Sequence, residues 1–282
     1  MPDALSVQPA PPRPAGELIQ PPAVRGEPVP MGITERRLRL ILDALERDGR
    51  VSVKELAARL AISTETVRRD LRDLERRGHA RRVYGGAVTD RPEGDQPFDA
   101  RARVATREKA RLAEAALPLF EDGMTVFIDA GTTTLALARL LIGRRLHIHT
   151  NALDIAGLMG GACAAQVTVL GGEVRPEYRG LFGHRTLSGL REHVYDVAVM
   201  GIVTVHLAHG FMDLGHDEAV IRRAARTQTR RSVILADDSK FGRLGTVRTF
   251  ALADIDTLVT NAPLARDFAH AFHSAKVDVI HA

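Results

Sequence analysis

Residues 62–77 read ISTETVRRDLRDLERR, and the organisation of the whole chain turns on them. Val67, Leu71 and Leu74 recur at the i, i+4, i+7 spacing of a helix buried on one side, and Glu65, Arg69, Arg72 and Arg76 project roughly opposite. Ser63 is placed to cap the N-terminus, because its hydroxyl can accept a hydrogen bond from an amide that the helix leaves unpaired. Gly78 supplies a stop. Alone, a basic amphipathic helix suits either a solvated surface or a nucleic-acid face. The neighbouring residues separate the two.

Upstream, the apolar spacing predicts a helix from Thr34 to about Arg47 that buries Leu38, Ile41, Leu42 and Leu45, ended by a turn at Asp48-Gly49-Arg50. A shorter helix follows, with Ser52 and Glu55 in the capping-box pattern and Leu56, Ala57 and Leu60 inside. Ala61-Ile62-Ser63 is then a tight turn into the third helix. Arg81 to Val88, RRVYGGAV, reads as a strand and turn forming a wing. Three helices with this spacing make a winged helix-turn-helix, whose third helix enters the DNA major groove. Glu65, Thr66 and Arg69 are candidates for base contacts beside the cap Ser63. Thr64, Arg68, Arg72, Arg81 and Arg82 are candidates for phosphate contacts. Arg76 and Arg77 read as a solvated helix end.

Charge supports this division. Residues 31–89 hold fourteen Lys/Arg against nine Asp/Glu, a net +5, whereas 1–30 come to −1 and the remainder balances at twenty-three each. A basic module joined to a neutral one separates polyanion binding from some other task. Residues 1–30 are proline-rich and read as a disordered tail, with Met31 as an alternative start. At 282 residues and 45% hydrophobic, the chain has room for two cores. No apolar run reaches the roughly 20 residues that span a membrane, and prolines occupy the place of a signal segment, so the expected location is the cytoplasm without membrane contact. The single cysteine, Cys163, rules out an internal disulfide.

Residues 90–103 read as a polar linker that Phe98 anchors. Beyond it, a helix from about Val104 to Leu119 precedes MTVFIDAG, LHIHTN, QVTVLGGEV, YDVAVMG, SVILADDSKFG, DTLVTN and KVDVI, strands that alternate with helices. That order predicts an α/β domain over 104–282 with a largely parallel sheet, whose ligands collect beyond the carboxyl ends of the strands. Asp129-Ala130-Gly131-Thr132-Thr133-Thr134 joins a strand to a helix N-terminus and offers amides, hydroxyls and a favourable dipole to an anion, without P-loop spacing. Thr150-Asn151, Gly171-Gly172 and Asp237 to Gly242 occupy corresponding strand ends. Lys240 can complete a phosphate site or pair with Asp237 or Asp238. His206 and His209 lack companion ligands for a metal, so no metal or cofactor is expected.

Glu35-Arg36-Arg37 through Ile41, VSVKELAARLAIS, TVRRDLRDLERRG and RRVYGGAV resemble the N-terminal domain of the DeoR family of bacterial transcription regulators. IDAGTTTLALARLL, TNALDIA, VTVLGGEV, YRGLFG and DDSKFG resemble its C-terminal sensor domain, so that the likeness covers about residues 35–262. Tyr84 stands where the family more often has histidine. The resemblance implies a fold related to ribose-5-phosphate isomerases and an effector that is a phosphorylated sugar or related metabolite. By position it sets Gly131, Thr132, Thr133 and Thr134 at an anion loop, with Asp129, Asn151, Gly171, Gly172 and Lys240 at or near the ligand. After YDVAVM the family usually has a Gly-Ala-x-Gly-Ile-like turn, where this chain has Gly201-Ile202-Val203-Thr204-Val205-His206. The expected function is a transcription regulator, a repressor, that binds double-stranded operator DNA as a homodimer or homotetramer under control of a phosphorylated metabolite. Two alternatives stand beside it: a sugar-phosphate isomerase-like enzyme with Asp129 or Asp237 as base, and a DNA-binding protein whose second domain only oligomerises.

Overall fold

A computed structural model of the chain describes residues 33–48, 50–89, 96–161 and 164–282. The tail of residues 1–30 and Cys163 lie outside the described residues.

The first domain begins with α1 (Ile33–Asp48), β1 (Arg50–Ser52), α2 (Val53–Leu60) and α3 (Thr64–Arg76), and closes with β2 (Ala80–Val83) and β3 (Gly86–Thr89). Its core joins Leu38, Ile41 and Leu45 of α1 to Val53 and Leu56 of α2 and to Val67, Leu71 and Leu74 of α3. Ala61 enters the left-handed region at φ 52° and ends α2, its amide reaching the carbonyls of Ala57 and Ala58. That bend reverses the chain within three residues. Ser52 stands at the N-cap of α2 in extended conformation, yet its side chain makes no capping hydrogen bond, so the expected capping box does not form. The residues expected to be only a turn exit instead begin a strand. β1 pairs antiparallel with β3, register Arg50↔Val88, making the wing a three-stranded sheet in the order β1-β3-β2. Gly85 supplies the positive φ of the hairpin tip, at 78°.

The second domain runs through α4 (Phe98–Arg103), α5 (Thr106–Ala116), β4 (Thr125–Ile128), α6 (Thr132–Leu140), β5 (His147–Thr150), α7 (Leu153–Met159), β6 (Gln166–Val169), β7 (Glu173–Arg175), β8 (Gly180–Phe182) and α8 (His184–Arg191). It continues with β9 (Tyr195–Gly201), β10 (Thr204–His206), β11 (Gly210–Asp213), α9 (His216–Thr227), β12 (Thr229–Leu235), β13 (Val247–Phe250), β14 (Thr257–Thr260), α10 (Arg266–Ser274) and β15 (Asp278–His281). Seven strands form a parallel sheet in the order β15-β14-β12-β9-β4-β5-β6. Period-two alternation divides the core between its two faces. Val126, Ile128, Val197, Val199, Val233 and Leu235 meet α5, α6 and α7, while Phe127, Ala198, Met200 and Ile234 meet α8, α9 and α10. β10, β11 and β13 form a separate antiparallel sheet, so the atypical stretch begins at Gly201 in the main sheet and ends as Thr204–His206, an edge strand of the smaller one.

The chain winds outward from β4 through β5 to β6, then returns to β9 on the other side of β4. This reversal makes the carboxyl ends of β4 and β9 a topological switch point, where adjacent loops diverge and leave a crevice.

Candidate functional site

The first candidate surface is α3 with the wing. Ser63 caps α3 as its spacing predicts, accepting a hydrogen bond from the Thr66 amide at 3.1 Å. The helix is set on the domain by Asp70, a buried carboxylate that receives Nε of Arg37 at 2.6 Å and Nη2 at 2.9 Å. That hydrogen bonding holds the Arg37 guanidinium above its usual pKa. Neither residue was legible as a partner from spacing, since 33 positions separate them. Thr64, Glu65, Arg68, Arg69 and Arg72 are exposed, with Thr66 half-buried. Glu65 bonds to Arg72 at 2.9 Å and pairs with Arg68 at 3.4 Å, while Arg82 is clamped on Glu75 at 2.8 Å. Arg69 makes no ion pair among the described residues.

Between the N-terminal half of α3 and the wing lies a groove of about 870 Å³ lined by Lys54, Thr64, Arg68, Arg82, Tyr84 and the Gly85-Gly86 tip. Tyr84 is 99% exposed, so its ring stands out from the wing with no packing role inside the domain. Cations flanking an exposed helix and an exposed wing are the chemistry that a polyanionic duplex requires.

The second candidate surface is the switch-point cleft. It is lined by Ala130, Gly131, Thr132 and Thr133 after β4, by Gly201, Ile202 and Val203 after β9, by Glu218 and Arg222 of α9, by Lys240 after β12, and by Arg101 of α4. The first amides of α6 have no intrahelical acceptor, so this end of the helix attracts an anion. Lys240 is buried and follows Asp237, whose side chain accepts from the Ser239 amide at 2.9 Å and caps the single 3-10 turn Asp238–Lys240.

The remaining sequence-predicted residues, Thr134, Asn151, Gly171, Gly172 and Asp129, do not line this cleft. Thr134 donates to the Gly131 carbonyl at 3.0 Å. Asn151 accepts from the Ala130 amide at 2.9 Å and donates to the Leu181 carbonyl at 3.2 Å. Gly171 accepts from the Thr186 hydroxyl at 2.6 Å, and a side chain at Gly172 would meet that hydroxyl at 2.1 Å and the Phe182 carbonyl at 2.5 Å. Asp129 is turned into the protein against Nε of Arg222 at 2.7 Å.

Arg222 is the centre of a buried ionic cluster that the sequence did not announce. It also hydrogen-bonds Asp213 and lies 3.9 Å from Glu218. Burial alone would lower its pKa, but the three carboxyl groups outweigh that and keep it well above the ordinary value. Asp129 is pushed up by its own burial, against the opposing pull of Arg222. Asp213 also accepts from the Thr249 hydroxyl at 2.6 Å, which ties the small antiparallel sheet to the cluster.

One turn touches both surfaces. Arg81 of the wing donates to the Ser239 carbonyl at 2.9 Å, and Arg50 of β1 pairs with Asp238 at 3.5 Å and Glu108 at 3.0 Å. The linker is likewise structured from Phe98 onward. Phe98 is buried beneath the Arg101 and Arg179 guanidiniums, and Lys109 donates to the Arg101 and Val104 carbonyls at 2.7 and 2.9 Å. His206 and His209 stack at 5.0 Å, and no group of three or more His, Cys, Asp or Glu among the described residues is arranged to hold a metal. Among the described residues no helix is long and apolar enough to cross a membrane.

Comparison with known proteins matches residues 37–93 to the DeoR-like helix-turn-helix domain and residues 104–262 to the DeoR C terminal sensor domain. The chain is 30% identical over 224 residues to the glycerol-3-phosphate regulon repressor of Escherichia coli (strain K12), covering 79% of this chain and 89% of that protein. It is 29% identical over 228 residues to the HTH-type transcriptional repressor GlcR of Bacillus subtilis (strain 168), covering 80% and 88%. With the HTH-type transcriptional regulator GlpR of Haloferax volcanii it shares 31% over 257 residues, covering 87% and 96%. Among solved structures, ribose 5-phosphate isomerase A of Methanocaldococcus jannaschii aligns over 47% of this chain and 53% of its own, at 18% identity and TM-score 0.35.

Proposed function

Since the chain belongs to the DeoR family of transcription regulators, we propose that it is a repressor of operator DNA whose grip is set by a small phosphorylated metabolite in the switch-point cleft. Relatives named for glycerol-3-phosphate control and for transcriptional repression support the direction of this reading. In it, α3 lies in the major groove with Glu65, Thr66 and Arg69 at base edges, and Thr64, Arg68, Arg72, Arg81 and Arg82 neutralise phosphates. Two copies of the chain present two such helices to two half-sites, so the acting form is a homo-oligomer.

One observation carries the conditional part. The three-residue turn Asp238–Lys240 places Lys240 in the cleft while its Ser239 carbonyl holds Arg81 of the wing and its Asp238 pairs with Arg50. The room inside the cleft is about 40 Å³, well below the roughly 300 Å³ at which small-molecule sites begin. A phosphorylated ligand therefore enters only as the surrounding loops move apart, and the turn bearing Lys240 is one of them. Binding energy gained in the cleft is thus coupled to the contacts of the wing, which is what a ligand must do to favour one arrangement over another.

Of the carboxylates considered as catalytic bases, Asp129 is held by Arg222, and Asp237 gives one oxygen to the cap of the turn while its other is buried without a partner. This favours sensing over turnover. The test uses the purified full chain, an operator selected from random-sequence DNA, and a panel of triose, pentose and hexose phosphates. At least one should shift operator affinity by roughly 5- to 150-fold. Lys240→Ala should leave DNA affinity intact and abolish the shift. If no panel member changes either operator affinity or melting temperature, the sensing role fails and the purely oligomeric role replaces it.

A further inference from the structure

The cleft is basic along one side, with Lys240, Arg101 and the α6 amides, but it also contains a carboxyl group. Glu218, in the first turn of α9, is 5% exposed. Its Oε1 lies 3.9 Å from Arg222, whereas Oε2 is buried and makes no hydrogen bond of full geometry, with the Tyr178 hydroxyl as its weak neighbouring donor. The Tyr178 hydroxyl stands beside the same carboxyl. Burial pushes the Glu218 pKa up to about 7, with the Asp213 and Asp129 charges adding to it and with Arg222 and a hydrogen bond from the Tyr178 hydroxyl opposing. A phosphate gains nothing from an acceptor at this position and is repelled by its ionised form. A poorly matched buried acceptor is also unfavourable for the protein itself. The group becomes useful when the ligand brings a donor to it.

Resting on the reading of the cleft as the effector site, we propose that Glu218 determines specificity for the organic part of the effector. Its Oε2 accepts a hydrogen bond from a hydroxyl of a phosphorylated polyol or sugar, whose phosphate sits between Lys240 and the first amides of α6. Arg222 orients the carboxyl through Oε1, and Tyr178 bounds it. The site therefore selects hydroxylated phosphate esters over inorganic phosphate and over esters lacking the matched hydroxyl, since a site built around a hydrogen bond rejects a ligand that leaves its polar group unpaired.

The experiment is calorimetric titration of the full chain at pH 7.5 with inorganic phosphate, glycerol 3-phosphate, and pentose and hexose phosphates, then with single-position deoxy analogues of the best-bound ester. Unaltered protein should bind that ester at least tenfold tighter than inorganic phosphate and lose most of the advantage with one deoxy analogue. Glu218→Met should weaken the ester about tenfold without weakening inorganic phosphate, which loses only a repulsion. Glu218→Gln, whose amide oxygen still accepts, should retain part of the selectivity. The deoxy series needs no variant and so decides the matter even if Glu218→Met fails to fold.

Equal affinities of the unaltered protein for inorganic phosphate and every ester would overturn the role of Glu218, as would unchanged ester binding by Glu218→Met. Isomerisation of the bound ester would overturn it too, recasting the carboxyl as a base. Anion binding that Lys240→Ala abolishes while Glu218→Met leaves ester selectivity intact removes only this proposal. Absence of all binding, or binding indifferent to Lys240→Ala, removes the effector site itself.

Discussion

Replacing Arg222 with methionine tests whether the sensor domain is organised around its buried ionic cluster. The substitution keeps an unbranched side chain of similar reach and removes a charge that is 6% exposed, facing Asp129 at 4% and Asp213 at 0%. Two buried carboxylates then lose their counter-ion. Breaking a buried pair by removing one partner costs about 3–5 kcal/mol, a large fraction of the roughly 5–15 kcal/mol that stabilises a domain. For a domain of this size each kcal/mol moves the melting temperature by about 2–4 °C, so a fall on the order of 10 °C is expected at pH 7.5.

The pH dependence sharpens the test. Burial already raises Asp129 above the usual carboxylate range, and losing Arg222 raises it further. A carboxyl whose folded pKa exceeds its unfolded value binds more protons when folded, so its contribution is favourable at low pH and is lost as pH rises through the folded pKa. The deficit of the variant should therefore be largest at pH 7.5 and shrink toward pH 5.5. Urea unfolding at both pH values measures it. A deficit below about 1 kcal/mol at pH 7.5, or one that is the same at both pH values, would refute the assignment of Arg222 as the counter-ion at the centre of this cluster.

Arg69→Ala should weaken operator binding by roughly tenfold, since a bidentate base contact is worth about 1–3 kcal/mol, and should also relax sequence choice; an unchanged preference in selection from randomised DNA would remove it from base reading. Arg50→Ala leaves every candidate DNA contact in place but cuts the pairing to Asp238 and Glu108. Half-exposed pairs of this kind are worth about 1 kcal/mol or less, so the effector-induced change in operator affinity should fall by roughly fivefold at most, measured by fluorescence anisotropy, and an undiminished response would show that this contact carries no signal. At Gly86 an added Cβ would come within 1.9 Å of the Val51 carbonyl. Gly86→Ala should therefore unpair β1 from β3 and weaken both the stability of the first domain and its DNA affinity; full retention of both in thermal unfolding and anisotropy would contradict the close β1–β3 approach.

Much of the local structure was readable because it depends on neighbours in the chain. The i, i+4, i+7 run of Val67, Leu71 and Leu74, the Ser63 cap and the Gly85 tip are each settled within a few residues, and each recurs in the fold. The Ser52-Glu55 capping box did not form, because Ser52 is claimed by β1 and its pairing with Gly86. That pairing joins positions more than thirty apart, which spacing along the chain does not reveal. Within the cleft, Gly131, Thr132, Thr133 and Lys240 were legible as strand-end residues of the right chemistry. Glu218 and Arg222 were not, because on α9 they read as ordinary charges of a surface helix until packing buried them.

Residues 62–77 thus determined by themselves that a capped, amphipathic, basic helix forms, since periodicity and capping are properties of the local chain. The order of strands and helices likewise determined a parallel sheet with a polar loop at the end of β4. Only the tertiary structure decided that Arg81 of the wing meets the carbonyl beside Lys240, that Asp129 faces Arg222 and not the cleft, and that Glu218 keeps an oxygen without a full hydrogen bond there. These contacts join residues 93 and 158 positions apart. They exist because burial brings distant charged groups together in a low-dielectric space where pairing is favoured, and no pattern along the chain states which groups will meet.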